Sequence, residues 1–300
     1  MGKKILIIVG GGHKHLEPFN VEAKKLGMDV FIDSLSSLEY VVEEGKDFKI
    51  TISDTHLEEF DLIYIRLVGK SQENAYLLVN YAKDNNIKII DEMFLENQPV
   101  NIPLTKALET KFVAQKGLPI PKTYFSNLNR IVKKSESLIG FPMVLKETTS
   151  QKSKGVWISK DQKELEELAK NLKNDEKNGK KYFVQEFIEA SQRIRILVVG
   201  NKAIAGLIRP MKWRNVFLKN PTEVVKKVLF PISQEDADLA VKAAVNLRIN
   251  IAGVDIIHED KTGKAYIMEV NSAPRWDSIN KETGVNVERE ILLFLKEQID

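Results

Sequence analysis

The residues best equipped for chemistry lie near the carboxyl end, between positions 251 and 275. Two apolar runs, Ile251-Ala252-Gly253-Val254-Asp255-Ile256-Ile257 and Ala265-Tyr266-Ile267-Met268-Glu269-Val270-Asn271, flank a polar turn through Asp260 and Gly263. That pattern predicts a β-hairpin. Side chains two apart on a strand share a face. Glu269 and Asn271 therefore point the same way, and the partner strand can set Asp255 opposite them. Two carboxylates and an amide oxygen form a hard-oxygen cluster suited to magnesium beside phosphates. The alternative is a strand whose polar face meets solvent. Val254, Ile256, Met268 and Val270 argue instead for burial, where an unpaired acid is costly and a bound dication offsets the cost.

Cations and small polar residues upstream could serve the same chemistry. Gly140 to Lys146 reads as a strand entered through a turn, and Lys146 closes it as a point charge able to reach phosphate. The polar stretch from Glu147 to Val156 carries Ser150, Ser153 and Gly155, with Lys152 and Lys154. Such a loop can present N–H groups and hydroxyls to anions. Arg195–Asn201 and Ala203–Arg209 read as a hairpin around Gly200-Asn201, with Arg195 and Arg209 as candidate cations. Basic residues at 209, 212, 214 and 219, with Trp213 and Phe217, could make a nucleic-acid patch, but a phosphate-transfer site accounts for the same charges. Arg66 closes a strand and is a candidate carboxylate or phosphate contact; a surface ion pair is the alternative. Gly10-Gly11-Gly12-His13-Lys14-His15 lacks the last glycine of a dinucleotide fingerprint. It reads as a turn that helps hold a substrate, with His13 and His15 in a solvated loop.

The elements that must position these groups fall into two parts. Residues 4–9 form a continuous apolar run, typical of a strand buried on both faces of a parallel sheet. Further strands are expected at 28–32, 61–66 and 87–90, with helices over 17–26 and 72–85. Alternation of strands and helices implies a doubly wound α/β unit whose crevice lies at the strands' carboxyl ends. Prolines at 99, 103, 119 and 121 surround a helix over 104–116 and mark a junction. Beyond it, strands are expected at 140–146, 156–159 and 182–188, helices at 164–172 and 235–247, and a terminal helix at 288–298. Residues 173–181, charged and glycine-containing, read as a solvated loop.

Composition sets outer bounds. Three hundred residues with 43% hydrophobic content suggest a globular chain of roughly two domains. The charge is nearly balanced, 45 basic against 42 acidic residues, which argues against a nucleic-acid partner. Cysteine is absent, so disulfides, thiolate catalysis and Cys-ligated metals are excluded. The run at 5–9 is too short to span a membrane and lacks the features of a signal peptide. A cytoplasmic location and no membrane partner are expected.

Asp255, then Glu269-Val270-Asn271 followed by Ala273-Pro274, resembles the magnesium-binding end of ATP-grasp ligases, and of the RimK-type ribosomal-protein glutamate ligases in particular. Thr105-Lys106-Ala107 and Gly117 to Thr123 match the start of an ATP-grasp domain in order and spacing. The resemblance covers about residues 100–300 well and the N-terminal unit more loosely. It implies an N-terminal Rossmann-like domain at 1–97 and a two-lobed α+β ATP-grasp domain at 98–300, its lid at about 123–187. It implies ATP with two magnesium ions, or manganese in their place. Asp255, Glu269 and Asn271 would hold metal. Lys106 and Lys146 would bind phosphate oxygens under a mobile loop with Ser150, Ser153 and Gly155. Glu186, Phe187 and Ile188 would line the adenine, Glu189 would accept from ribose, and Arg214 and Asn215 would lie near the transferred phosphate. Arg195 or Arg209 would stabilise the developing oxyanion. Where RimK-type ligases usually read serine–proline–glycine, this chain has Ala273-Pro274-Arg275-Trp276, and Arg275 is a candidate partner for a substrate carboxylate. The implied activity is a carboxylate–amine ligation through an acyl phosphate, on small-molecule or peptide substrates; homo-oligomers are compatible with it. A nucleotide sensor and a phosphoryl transferase using the same site are the alternatives.

Overall fold

Apolar strands separated by amphipathic helices set the first unit. The computed structural model describes residues 3–41, 48–95, 106–148, 155–211, 227–229 and 232–300. In chain order, β1 (Lys4–Val9) leads through α1 (Glu17–Leu26) to β2 (Asp29–Ser34), then to the short strands β3 (Leu38–Val41), β4 (Lys49–Ile52) and β5 (Thr55–His56). β6 (Leu62–Leu67), α2 (Gln72–Asp84) and β7 (Lys88–Ile90) complete the unit. A parallel sheet in the order β2-β1-β6-β7 results, with all carboxyl ends on one edge. The expected strands and helices appear within two residues of their bounds. The antiparallel β3-β4-β5 sheet was not expected from the sequence. Its strands are two to four residues long, too short to show a period of two.

The second part has two antiparallel sheets. After α3 (Lys106–Gln115) come β8 (Thr123–Ser126), α4 (Leu128–Leu138), β9 (Met143–Glu147), β10 (Val156–Ser159), α5 (Gln162–Lys177) and β11 (Tyr182–Glu186). Their sheet runs β10-β9-β11-β8, and Leu128, Ile131, Leu165 and Ala169 of the two helices pack on it. The chain then forms β12 (Gln192–Val199), β13 (Lys202–Pro210), β14 (Lys227–Leu229), α6 (Gln234–Asn246), β15 (Ile251–His258) and β16 (Ala265–Asn271), ending in α7 (Asp277–Thr283) and α8 (Val287–Glu297). This larger sheet runs β14-β13-β12-β15-β16. One face packs on α6 and α3 through Val113, Ala240, Ala244, Ile196, Val254 and Ile256. The other meets the parallel sheet across a shared core of Ile5, Ile7, Tyr64, Leu197, Ile251 and Trp276, filled in by Leu292 and Leu295 of α8.

Two expectations need correcting. Residues 173–177 are helical, not a loop: α5 runs to Lys177. Its charge made it look solvated, but Lys173 donates to Glu176 at 2.7 Å and Glu176 accepts from the Leu128 N–H at 2.6 Å. Met268 is only partly buried. The β15–β16 register pairs Asp255 with Glu269 and Ile256 with Ile267, so Met268 is the extra residue of a bulge.

Candidate active site

β15 and β16 place the acidic cluster as their pairing requires. Asp255 lies directly opposite Glu269, and Gly253 opposite Asn271. Cross-strand partners share a face, so Asp255, Glu269 and Asn271 converge. β12 pairs with the other side of β15, bringing Arg195 opposite Asp255. The guanidinium grips Asp255 with two bonds, Nε to Oδ1 at 2.6 Å and a terminal nitrogen to Oδ2 at 2.7 Å. Arg193, two residues earlier on the same face, adds a contact at 3.4 Å. Arg209 stands opposite Arg193 on β13. Gly253 has no side chain for a steric reason: a Cβ there would lie 2.8 Å from that of Pro274.

Glu269 has its own cation. Lys106, the first described residue of α3, donates to Glu269 at 2.5 Å and to Glu109 at 3.0 Å. Burial raises the Glu269 pKa, but the Lys106 ammonium, the Lys106 hydrogen bond and Arg195 outweigh it and hold the carboxyl below its ordinary value. Burial likewise opposes charge on Lys106, yet Glu109 and Glu269 keep its pKa above the usual lysine value. Glu109 is buried, and its second oxygen accepts from the Val270 N–H at 2.7 Å.

Lys146 approaches from β9, in the smaller of the two antiparallel sheets of the second part. It donates to Gln185 Oε1 at 2.6 Å. Burial lowers its pKa to about 8, and the charges of Glu269, Lys106 and Glu109 all act on it, which joins it electrostatically to the group on the larger sheet. At the hinge after β11, the Glu186 N–H donates to the Lys122 carbonyl at 2.8 Å and its carboxylate accepts from the Lys122 N–H. Ile188 is buried with Ala190, Ile257 and Tyr266, and Met211 and Met268 pack against them. This apolar wall adjoins the acidic cluster along β15 and suits a flat ring. Phe187 and Glu189 are partly exposed, and Glu189 lies 3.7 Å from Lys261.

Other expected residues lie elsewhere. Arg66 is not open to a substrate. Its guanidinium is buried, stacks 4.3 Å from the Trp276 ring and donates to the Pro274 carbonyl at 2.5 Å. Trp276 also faces inward: it packs edge-on to Phe19 and donates to Glu288 at 2.7 Å. Arg275, between these buried neighbours, is exposed. At the N-terminal glycines the demand is close packing, since a Cβ on Gly10 would collide with the Val68 carbonyl. His13 and His15 are exposed. Ser150, Ser153, Arg214 and Asn215 lie outside the described residues, while Gly155 immediately precedes β10 and its carbonyl accepts from the Glu147 N–H at 2.9 Å.

Glu109, Arg193 and Gln185 escaped the sequence reading. Glu109 is one helical turn from Lys106, so the i,i+3 rule brings the two together. Arg193 is two residues from Arg195 on one strand and had to share its face. Gln185 carried no comparable signal. Among the described residues no three His, Cys, Asp or Glu side chains form a metal cluster, so the donor set here is two carboxylates and an amide. That set suits a hard dication that retains water and phosphate ligands. By that donor chemistry the residues fit magnesium, which would share Asp255 with Arg195 and Glu269 with Lys106.

A family model described as a RimK-like ATP-grasp domain matches residues 104–295. A probable alpha-L-glutamate ligase of Syntrophotalea carbinolica is 31% identical over 243 residues, 80% of this chain and 77% of that one. Another, from Vibrio parahaemolyticus, is 31% identical over 211 residues, 68% and 67% of the two chains. Among solved structures, the ATP-grasp ligase PsnB complexed with a minimal precursor has a TM-score of 0.74 at 14% identity over the whole of both chains. A Chryseobacterium gregarium RiPP-associated ATP-grasp ligase, in complex with ADP and a leader and core peptide, has a TM-score of 0.69 at 15% identity, covering 99% and 98%. At such identities the structural likeness establishes a shared fold.

Proposed function

The chain belongs to the RimK-like ATP-grasp family, and we propose that it joins a carboxylate to an amine through an acyl phosphate, using an amino acid or peptide as substrate. The observation that carries this reading is the shared face of Asp255, Glu269, Asn271 and Arg195, with Lys106 of α3 bonded to Glu269 and Lys146 electrostatically joined to the group from the lid sheet.

A carboxylate is a poor electrophile. Transfer of the terminal phosphoryl group of ATP to a carboxylate oxygen breaks the bond to ADP and makes an acyl phosphate. The amine nitrogen then attacks the acyl carbon, phosphate leaves, and the amine proton passes to solvent. Positioning and charge neutralisation carry most of the work. Asp255, Glu269 and Asn271 would hold magnesium, which supplies charge neutralisation to phosphate oxygens when bound. Lys146 binds phosphate from the lid side and Lys106 from the start of α3, beside the larger sheet. Arg195, with Arg193 and Arg209 on the same face, stabilises the developing oxyanion. The apolar wall of Ile188, Ile257 and Met268 receives the base, and Glu189 reaches the ribose. The absence of cysteine supports a reducing, cytoplasmic setting, and among the described residues no helix is long and apolar enough to cross a membrane.

Glutamate is the first amine to try, because the curated relatives are named probable alpha-L-glutamate ligases. Peptides are the first carboxylates, because solved neighbours are described with precursor peptides. Exposed Arg275 pairs with a carboxylate of one substrate. Arg275→Ala should raise KM for that substrate several-fold and leave KM for ATP unchanged; KM values for both co-substrates unchanged from the parent would remove Arg275 from the site. The activity itself is tested by ADP release with ATP, magnesium and pooled amino acids, dicarboxylates and short peptides, followed by mass spectrometry. The expected product has the mass of two substrates minus water. A phosphorylated substrate accumulating with no condensation product in any pool would instead mark a phosphoryl transferase.

A further inference from the structure

We infer that Glu109 is a positioning residue, which fixes Lys106 to the edge of the strand that carries Glu269 and Asn271. This rests on the proposed reading of Lys106 as a nucleotide contact. β16 is the edge strand of its sheet, so the outward N–H groups of its residues lack a strand partner. Two of them are satisfied from the segment that begins with α3: Ile267 donates to the Pro119 carbonyl at 2.8 Å, and Val270 donates to Glu109 Oε1 at 2.7 Å. The second bond falls between Glu269 and Asn271.

An amide would satisfy the Val270 N–H as well as a carboxylate, at far lower desolvation cost. What a carboxylate adds is charge. Glu109 Oε2 lies 3.0 Å from Lys106 Nζ, and Glu109 is only 7% exposed. Lys106 Nζ sits between two acids, Glu109 and Glu269. Only Glu269 belongs to the proposed metal set. When Glu269 is otherwise neutralised, Glu109 remains as the anchor, and the ammonium stays aimed at phosphate instead of swinging to solvent. Glu109 touches no reacting atom; it acts through Lys106.

Substitution by glutamine separates this role from plain edge capping. Glu109→Gln keeps an oxygen for Val270 and removes the charge that holds Lys106. Titration calorimetry of the full chain with ADP and magnesium should show affinity reduced roughly tenfold, the worth of one charge-assisted hydrogen bond. KM for ATP should rise by the same factor, with KM for the amine unchanged and the melting temperature within a few degrees of the parent. Lys106→Met should weaken ADP similarly, and adding Glu109→Gln to it should cost nothing more. Parental ADP affinity in Glu109→Gln, or additive losses in the double variant, would overturn the inference while leaving the role of Lys106 intact. Parental affinity in Lys106→Met would overturn the nucleotide reading of that lysine, and the positioning role with it.

Discussion

Buried charge occurs in two places along the β15–β16 hairpin, and the two are built differently. At the middle of the strands, charge meets charge. Arg195 grips Asp255 and Lys106 grips Glu269, each across an element boundary. At the ends of the hairpin, charge meets backbone. Asp91, just beyond β7, accepts from the N–H groups of Asn250 and Ile251 at 2.9 and 3.1 Å, where β15 begins. Arg66 donates to the Pro274 carbonyl, shortly after β16 ends. Asp91 Oδ2, Arg66 Nε, one terminal nitrogen of Arg66 and the Tyr64 hydroxyl are buried with no hydrogen-bond partner among the described residues, although the Arg66 charge acts on both Asp91 and Tyr64. Ion pairs can be exchanged for ligand charges of either sign. A side chain bonded to a carbonyl or an amide has no such exchange and serves to hold the chain in place. The first group therefore suits the proposed site, and the second joins the parallel sheet to the hairpin.

The largest effect should come from breaking the first group. Asp255→Asn removes a proposed metal donor and leaves Arg195 facing a neutral amide. Ligase turnover should fall by roughly a thousandfold, on the order of 4 kcal/mol in transition-state energy. The control is a native circular dichroism spectrum, since loss of one partner of a buried pair also destabilises. Turnover within tenfold of the parent would remove Asp255 from the metal set.

Lys146 should come next. Its pKa lies near 8 in the free chain because burial disfavours the ammonium. An anionic phosphate favours the charged form, so its pKa must rise on binding. Nucleotide binding at pH 8 to 9 should thus take up a fraction of a proton, and at pH 6.5 almost none, because the lysine is already protonated there. Calorimetry in buffers of different ionisation enthalpy measures this uptake. Lys146→Met should abolish it and weaken ADP about tenfold or more.

Much of this could be read in the sequence, for definite reasons. The hairpin was legible because its apolar runs alternate with Asp255, Glu269 and Asn271 at strand spacing, and the turn is fixed by Gly263, whose φ is +71°. The parallel sheet was legible because its strands are continuous apolar runs. What the sequence does not carry is which cation faces which acid. Nothing local relates Arg195 to Asp255, sixty residues away; sheet order alone sets that pairing. The same applies to Arg66 and Trp276. A cation closing a strand looks like a substrate contact, yet the stacking of the parallel sheet on the hairpin buries it against Trp276. The β15–β16 bulge at Met268 also left no mark in the pattern.

Breaking the joint should affect turnover less than breaking the site. Arg66→Met keeps an apolar side chain in the joint and removes both the guanidinium stacked on Trp276 and its bond to Pro274. Turnover should drop several-fold, and hydrogen exchange should quicken over residues 272–276, with KM values little changed. A large, selective rise in KM for a carboxylate substrate would instead return Arg66 to the site.

Asp91→Asn should leave turnover at pH 7 close to the parent and change only how stability depends on pH. Asp91 is fully buried, and burial raises its pKa to about 8. An acid whose pKa is higher in the fold than in the unfolded chain holds its proton longer when folded. Between the ordinary carboxylate value and about pH 8 the native chain therefore binds more protons than the unfolded chain, and this contribution to stability declines as pH rises through that window. Asparagine keeps an oxygen for the N–H groups of Asn250 and Ile251 but does not ionise. From pH 5 to pH 8 the parent should lose stability relative to the variant by at least about 1 kcal/mol, a few degrees in melting temperature. Parallel stability curves for the two chains would mean that Asp91 is ionised in the fold, with its charge held by Arg66. The joint would then be an ion pair like those of the site, and the contrast between the two groups would fail.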